Sequence, residues 1–280
     1  MAYARLIIRS IALSALTAAA YAVLLCGLAV IRRSSRQRAR WQSLMLRIWA
    51  QTSVLILGLK IDGSRNAPVA PFLLVSNHLS YLDVVVLASR LDCTFVAKKD
   101  LQTWPIIGTL CRTVGTIFID RRNRRDLARA NGEIAQALED GRGVILFAEG
   151  TSSAGSSVLP FKPSLLNAAA KLRFPVSYAA VSYRVLGDDP PASLSVCWWG
   201  DMTFGRHFAA MLRLKRIQST VTFGSDQIRA DDRKVLADRL WGEVKRLFVP
   251  VEALSASPRP AQFDSQPTIG VEEQCNVATR

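Results

Sequence analysis

The chain reads as an α/β domain, a mixed, mostly parallel sheet flanked by helices, carried behind an N-terminal helical segment. Three observations give this reading. From Asp62 onward, short apolar runs alternate with helix-length segments. Residues 10–31 form an uncharged, mostly apolar stretch, and every basic residue as far as Lys60 precedes the first acidic one, Asp62. At 280 residues and 50% apolar composition, one good-sized core with appendages is the expected organisation. The boundaries fall at a helical segment over 1–60, an α/β domain over 61–249 and a tail over 250–280. That tail is rich in Ser, Pro and Gln with no apolar period, and is expected to be disordered and dispensable for chemistry.

Residues 10–31, about 22 in number, reach about 33 Å as a helix, enough for a hydrocarbon core of about 30 Å. Arg32, Arg33, Arg36, Arg38 and Arg40 follow at once, and the positive-inside rule puts everything downstream on the cytoplasmic side of the cell membrane. Gly27, the many alanines and Arg9 also fit a membrane-associated helix that lies in the interface without crossing. A signal peptide is a third reading, with Arg5 and Arg9 ahead of the run and Ala18-Ala19-Ala20 inside it. The run, however, continues past those alanines into a basic stop-transfer pattern. Residues 41–59 form a second helix, membrane-facing or core, with Trp41, Leu44, Ile48, Trp49 and Leu55 opposite Arg47 and Gln51.

The formal charge of +14 calls for an anionic partner, and beside an apolar helix that partner is a phospholipid surface rather than nucleic acid. Cys26, Cys93, Cys111, Cys197 and Cys275 are odd in number and widely spaced. They imply reduced structural cysteines, with neither a disulfide framework nor a metal site.

In the α/β domain, strands are expected at 72–76, 94–97, 116–119, 144–148, 176–182, 193–199 and 217–223, each a short apolar run. Helices are expected at 81–91, 124–139, 164–173, 204–214 and 231–248. Gly141-Arg142-Gly143 is a stop between helix and strand. There is no internal repeat and no Gly-rich nucleotide fingerprint.

The chemistry concentrates in four places. Asn77-His78-Leu79-Ser80-Tyr81-Leu82-Asp83 joins one of two histidines to a carboxylate five residues later. In a straight helix those side chains would stand about 140° apart. His78 is therefore expected in a turn, with Asp83 in the first turn of the following helix pointing back at Nδ1. Such a pair leaves Nε2 free as a general base, the logic of a Ser-His-Asp triad without its serine. The attacking hydroxyl then belongs to the substrate.

Residues 115–121 end a strand in Asp120 and Arg121, and a guanidinium fork suits a phosphate. Arg122, Arg124 and Arg125 beside it read as a solvated or lipid-contacting patch. Residues 147–153 close another strand with Glu149, Gly150, Thr151, Ser152 and Ser153 at the sheet edge where ligands of open α/β sheets lie. Lys162 adds a cation further on, and Lys98 and Lys99 follow the second strand.

The order and spacing of these blocks resemble the glycerolipid acyltransferase family, best known through the lysophosphatidic acid acyltransferases. That family carries Asn-His-x-x-x-x-Asp, then Gly-x-x-Phe-Ile-Asp-Arg, then Phe-x-Glu-Gly-Thr-Arg-Ser, then a proline-containing strand. Here they stand at 77–83, 115–121, 147–153 and 174–176, and the resemblance covers about residues 60 to 220. It implies that His78 is the general base and Asp83 its orienter, with Asn77, Arg121, Glu149, Gly150, Thr151, Ser152 and Lys162 binding the acceptor. It further implies acyl transfer from a thioester of acyl carrier protein or coenzyme A to the hydroxyl of a lysolipid, first of all 1-acyl-sn-glycerol-3-phosphate, with no metal or bound cofactor.

Ser152 stands where the family usually has arginine, and Pro163 where a glycine is common. Loss of a charge-assisted phosphate contact weakens binding by about 1.5 to 3 kcal/mol, one to two powers of ten. A lyso-ornithine lipid, with a different head group, is the alternative acceptor.

Two other classes compete. Ser152 after a strand, with Asp188, Asp201 and His207 downstream, follows the order of an α/β-hydrolase but lacks the second glycine of a nucleophile elbow. A non-enzymatic membrane or nucleic-acid binder would use the basic charge alone, and predicts that His78→Ala is harmless.

Overall fold

The computed structural model describes residues 1–63, 66–120 and 123–251. Arg121, Arg122 and the tail from 252 onward, with the expectations attached to them, lie outside the described residues.

Helices α1 (Ala2–Val30) and α2 (Ser35–Leu57) form an antiparallel hairpin. Its crossing points fix the direction: Arg38 Nη1 donates to Leu28 O and Ile31 O, Trp41 Nε1 to Leu24 O, and Trp49 Nε1 to Thr17 Oγ1. Both helices begin earlier than the hydropathy pattern indicates. The basic run 36–40 is helical rather than a linker, because Ser34 caps it through the Gln37 amide and Arg38 covers the last carbonyls of α1. Gly58, with φ of 64°, ends α2 in a left-handed turn.

The hairpin is welded to the domain. Arg9, buried on α1, donates to Leu212 O at 3.1 Å and Leu214 O at 2.6 Å, while Arg5 donates to Arg213 O and Tyr21 OH meets Thr113 Oγ1 at 3.4 Å. From Arg9 to Tyr21 is about 18 Å of helix, with a domain contact at each end. On α2, Gln42 donates to Thr113 O, and buried Arg142 donates to Ser43 Oγ, Gln42 Oε1 and Val114 O. Burial pulls the Arg142 guanidinium down to about 10, so it stays charged and its neutral partners must solvate it. Ile7, Ile8 and Ile11 of α1 and Leu44, Ile48 and Leu55 of α2 remain exposed.

Seven strands form one sheet: β1 (Leu59–Gly63), β2 (Leu73–Ser76), β3 (Cys93–Lys98), β4 (Ile117–Ile119), β5 (Gly143–Phe147), β6 (Val176–Val185) and β7 (Ile217–Phe223). Their order is β1-β7-β6-β2-β5-β3-β4, parallel except for the antiparallel β6–β7 pair. The remaining helices are α3 (Leu82–Arg90), α4 (Ile107–Thr113), α5 (Arg124–Glu139), α6 (Asn167–Lys171), α7 (Ala192–Ser195), α8 (Phe204–Met211) and α9 (Arg233–Leu247). The core runs along both faces of β2, β5 and β6, with Phe72, Leu74, Ile145 and Leu146 fully buried against Leu87 of α3 and Leu166. Leaving no polar stripe, these central strands read as continuous apolar runs.

Four elements differ from the sequence reading, one of them α4, where no helix is expected. Residues 193–199 are not a strand: Ala192–Ser195 is a short helix begun by Pro191, and both edges of β6 are already taken by β2 and β7. β1, read as the end of a helix, pairs in parallel with β7 some 158 residues on, Leu59 opposite Ile217. The expected helix over 164–173 splits into a 3-10 turn, Pro163–Leu166, and α6, since Pro163 fits only the first turn.

Candidate active site

Parallel register builds the site. β2 and β5 pair with Ser76 opposite Phe147, so two residues beyond the strand ends His78 faces Glu149, and the His78 amide donates to Glu149 Oε1 at 3.0 Å. On the other side of β2, the Asn77 side chain replaces a strand backbone. Its Nδ2 donates to Val181 O at 2.9 Å and its Oδ1 accepts the Val181 amide at 2.8 Å. The ladder to β6 is thus closed by a side chain, and the main chain is released into the turn that carries His78.

That turn leads into α3. Asp83 stands in the first helical turn and its Oδ2 accepts the Leu79 amide at 2.7 Å, the Ser80 amide at 3.0 Å and His78 Nδ1 at 2.7 Å. From the first turn of α3 the carboxylate folds back over the two amides that precede the helix while holding the imidazole, which explains the five-residue spacing. Asp83 is fully buried, whereas the His78 side chain is 22% exposed. With Nδ1 committed to Asp83, Nε2 is the nitrogen available to a substrate. The imidazole also stacks on Phe147, ring centroids 4.1 Å apart.

Glu149 is buried, and its Oε2 makes no hydrogen bond. Burial pushes its carboxyl up to about 8, with the nearby Asp83 charge adding to the rise and the backbone amides of His78 and Leu159 opposing it. It is therefore largely protonated at neutral pH.

The sequence-predicted residues divide as follows. His78 and Asp83 are paired. Gly150 (φ 78°), Thr151 and Ser152 form the turn after β5, tied to the histidine turn by the Ser153 amide on His78 O at 3.1 Å. Asn77 and Glu149, expected to bind the acceptor, are buried and support the backbone around His78. Lys162 is exposed, and its amide anchors the following loop on Ala148 O at 2.8 Å. Arg121 lies outside the described residues. Ser152 Oγ donates to Trp198 O, and His207 Nδ1 pairs with Tyr81 OH at 3.0 Å, so the rival serine triad is not assembled.

Sequence reading missed two features. Tyr183 OH donates to Asp83 Oδ1 at 2.7 Å, a contact across 100 residues for which no local signal exists. Tyr81, Trp104, Trp198, Phe204 and Phe208 form an aromatic cluster beside the histidine turn, and the Trp198 amide donates to Leu79 O at 2.8 Å.

Comparison with known proteins identifies the family. Residues 58–182 match the family model described as Acyltransferase. The chain is 33% identical over 247 residues to a lyso-ornithine lipid O-acyltransferase of Rhizobium meliloti (strain 1021), covering 78% of this chain and 83% of that protein. It is 28% identical over 197 residues to a 1-acyl-sn-glycerol-3-phosphate acyltransferase of Neisseria gonorrhoeae, covering 69% and 75%. Among solved structures, the 1-acyl-sn-glycerophosphate (LPA) acyltransferase PlsC from Thermotoga maritima shares the fold, with a TM-score of 0.59 at 18% identity over 88% of this chain and 98% of that one. Matched over that length, and carrying the family's Asn-His-x-x-x-x-Asp block at 77–83, the chain is an acyltransferase and belongs to the glycerolipid acyltransferase family.

Proposed function

We propose that this protein moves a fatty acyl group from the thioester of acyl carrier protein or coenzyme A to the free hydroxyl of a lysolipid at the membrane surface. The observation that carries the mechanism is the 2.7 Å contact of His78 Nδ1 with Asp83 Oδ2 on an otherwise accessible imidazole. His78 Nε2 takes the hydroxyl proton as the oxygen attacks the thioester carbon. The tetrahedral intermediate then collapses, the carbon–sulfur bond breaks, and the leaving thiolate takes the proton from the imidazolium. Asp83 holds the ring and stabilises its positive form. General base catalysis of this kind contributes about 100- to 10,000-fold, with positioning beyond that.

Ser152 separates two acceptors. Its hydroxyl donates to Trp198 O, and with serine in place of arginine at 152 that position offers no guanidinium to a phosphate. This favours lyso-ornithine lipid, in keeping with relatives of that name at 33% and 37% identity. The second reading, 1-acyl-sn-glycerol-3-phosphate, is favoured by the Asp120-Arg121 block. The α1–α2 hairpin, with apolar side chains exposed and its length fastened to the domain, supports a helix lying in the cytoplasmic face of the cell membrane rather than crossing it. The arginines around residues 32–40 then meet anionic phospholipid, each contributing about 1 kcal/mol.

Purified protein is assayed in parallel on lyso-ornithine lipid and 1-acyl-sn-glycerol-3-phosphate with acyl carrier protein and coenzyme A donors, with His78→Ala as control. Transfer to at least one lysolipid, abolished in the variant, is expected. Refusal of both acceptors sinks the reading.

A further inference from the structure

Asp83 is a fully buried carboxylate with both oxygens engaged. Oδ2 takes His78 Nδ1 and the amides of Leu79 and Ser80, and Oδ1 takes the phenol of Tyr183 at 2.7 Å. Tyr183 lies on β6, opposite Ser219 of β7, and is itself buried. Its hydroxyl thus approaches from the central sheet, whereas the other three donors come from the histidine turn.

We propose that Tyr183 is a positioning residue of the acyl-transfer reaction, fixing the rotation of Asp83 and setting how much of its negative charge reaches the His78 imidazole. A carboxylate held by a further donor shares its charge more widely and pulls less on the proton at Nδ1. Burial beside Asp83 holds the phenol well above its ordinary range, so it donates throughout the working pH. The other titratable groups facing the pair are Cys197, from the segment after α7, and Glu149, from the end of β5. Burial and the Asp83 charge push the Cys197 thiol up, and Glu149 is held up to about 8, so neither adds a second charge at acid to neutral pH.

The kinetic half of this inference rests on the proposed function; the spectroscopic half does not. Tyr183→Phe keeps the ring and removes the donor. Asp83 then pulls harder on the imidazole, and the acid limb of kcat/KM is expected to move up by about 0.5 to 1 pH unit. kcat falls about tenfold as the carboxylate gains rotational freedom, with KM for the lysolipid within about twofold. The ring-nitrogen NMR titration of His78, one of two histidines in the chain, moves in the same direction.

Because Tyr183→Phe leaves a buried carboxylate oxygen bare, a second variant, Tyr183→3-fluorotyrosine, retains the hydroxyl as a stronger donor. It is expected to move both readouts the opposite way. A merely structural Tyr183 leaves the His78 titration unmoved in a folded Tyr183→Phe protein, and that result overturns the inference. So does an unmoved titration in the fluorotyrosine protein, should Tyr183→Phe not fold. If the parent transfers no acyl group while the titrations shift as stated, the functional reading fails and the coupling of Tyr183 to His78 stands.

Discussion

The imidazole of His78 lies almost flat on the ring of Phe147, the planes inclined by 16°. The stack follows from register, since Phe147 ends β5 opposite Ser76 and its side chain rises beneath the turn that β2 releases. Phe95 of β3 stacks behind it at 6.1 Å. Asp83 therefore fixes one edge of the imidazole and Phe147 its face, leaving Nε2 little freedom to turn.

Phe147→Leu preserves apolar bulk and removes the ring face. An aromatic pair is worth about 0.5 to 1.5 kcal/mol beyond its buried area, so kcat is expected to fall about 3- to 10-fold. KM for both substrates should hardly change if the ring acts through its stack on His78. Steady-state kinetics with a thermal melt checks this. A rise in KM at constant kcat would place Phe147 in a binding wall instead.

Glu149 makes stability fall as pH rises. Its carboxyl is raised from an ordinary value near 4.5 to about 8, so between those values the folded chain holds a proton that the unfolded chain has released. Stability is greatest below about pH 4.5 as far as this group is concerned, declines through the window, and levels off once the folded carboxyl ionises. Glu149→Gln retains an oxygen for the His78 amide and removes the titration. The gap in unfolding free energy should move in favour of the variant between pH 5 and 9 by a few kcal/mol. Equal pH slopes in denaturant titrations of the two proteins would falsify this.

Much of this architecture is legible locally. Residues 217–223 form β7 with the expected bounds, since alternating apolar positions on a strand need no distant partner to be recognised. The His78–Asp83 pair is legible for a similar reason: helix geometry forbids their meeting at that spacing unless one lies outside the helix. What escaped depends on pairing across the chain. Asn77 could be seen as the neighbour of His78 but not as a clamp on Val181, 104 residues away. The burial of Glu149 follows from the β2–β5 register, and that of Arg142 from its partners Gln42 and Ser43 on α2. Residues 193–199 have the composition of a strand, but Ala192–Ser195 turns into a helix after Pro191 and the edges of β6 are occupied by β2 and β7.

Ser152→Arg is expected to shift acceptor choice. An added guanidinium in the turn after β5 supplies the contact a phosphate needs, worth about 1.5 to 3 kcal/mol. The ratio of kcat/KM for 1-acyl-sn-glycerol-3-phosphate over lyso-ornithine lipid should rise about 10-fold or more. Competition assays with both lipids present measure the ratio directly. Ser152→Ala, which loses only the bond to Trp198 O, should leave that ratio within about threefold, and an unchanged ratio in the arginine variant would show that the acceptor head group lies elsewhere.

The attachment of α1 predicts its disposition in the membrane. Arg9 reaches Leu212 O and Leu214 O just past the end of α8, and Tyr21 reaches Thr113 at the end of α4. α1 is long and apolar enough to cross a membrane, but its fastening to one globular domain at two points about 18 Å apart along its axis predicts that this stretch stays on the domain's side of the bilayer. In a background with Cys26, Cys111 and Cys275 replaced by serine, which leaves the buried Cys93 and Cys197, single substitutions Ala2→Cys and Val30→Cys should both react with a membrane-impermeant maleimide in inverted vesicles. Neither should react in right-side-out vesicles. A spanning helix would split the two labels between the two preparations. Arg9→Gln should lower the melting temperature, since two buried bonds from a charged donor contribute on the order of 1.5 to 3 kcal/mol each. It should also loosen the hairpin, so that Thr17, now held by Trp49 Nε1 at 3.0 Å, becomes accessible to the same reagent when replaced by cysteine. If Arg9→Gln changes neither stability nor labelling, the buried guanidinium is not what ties the helix down.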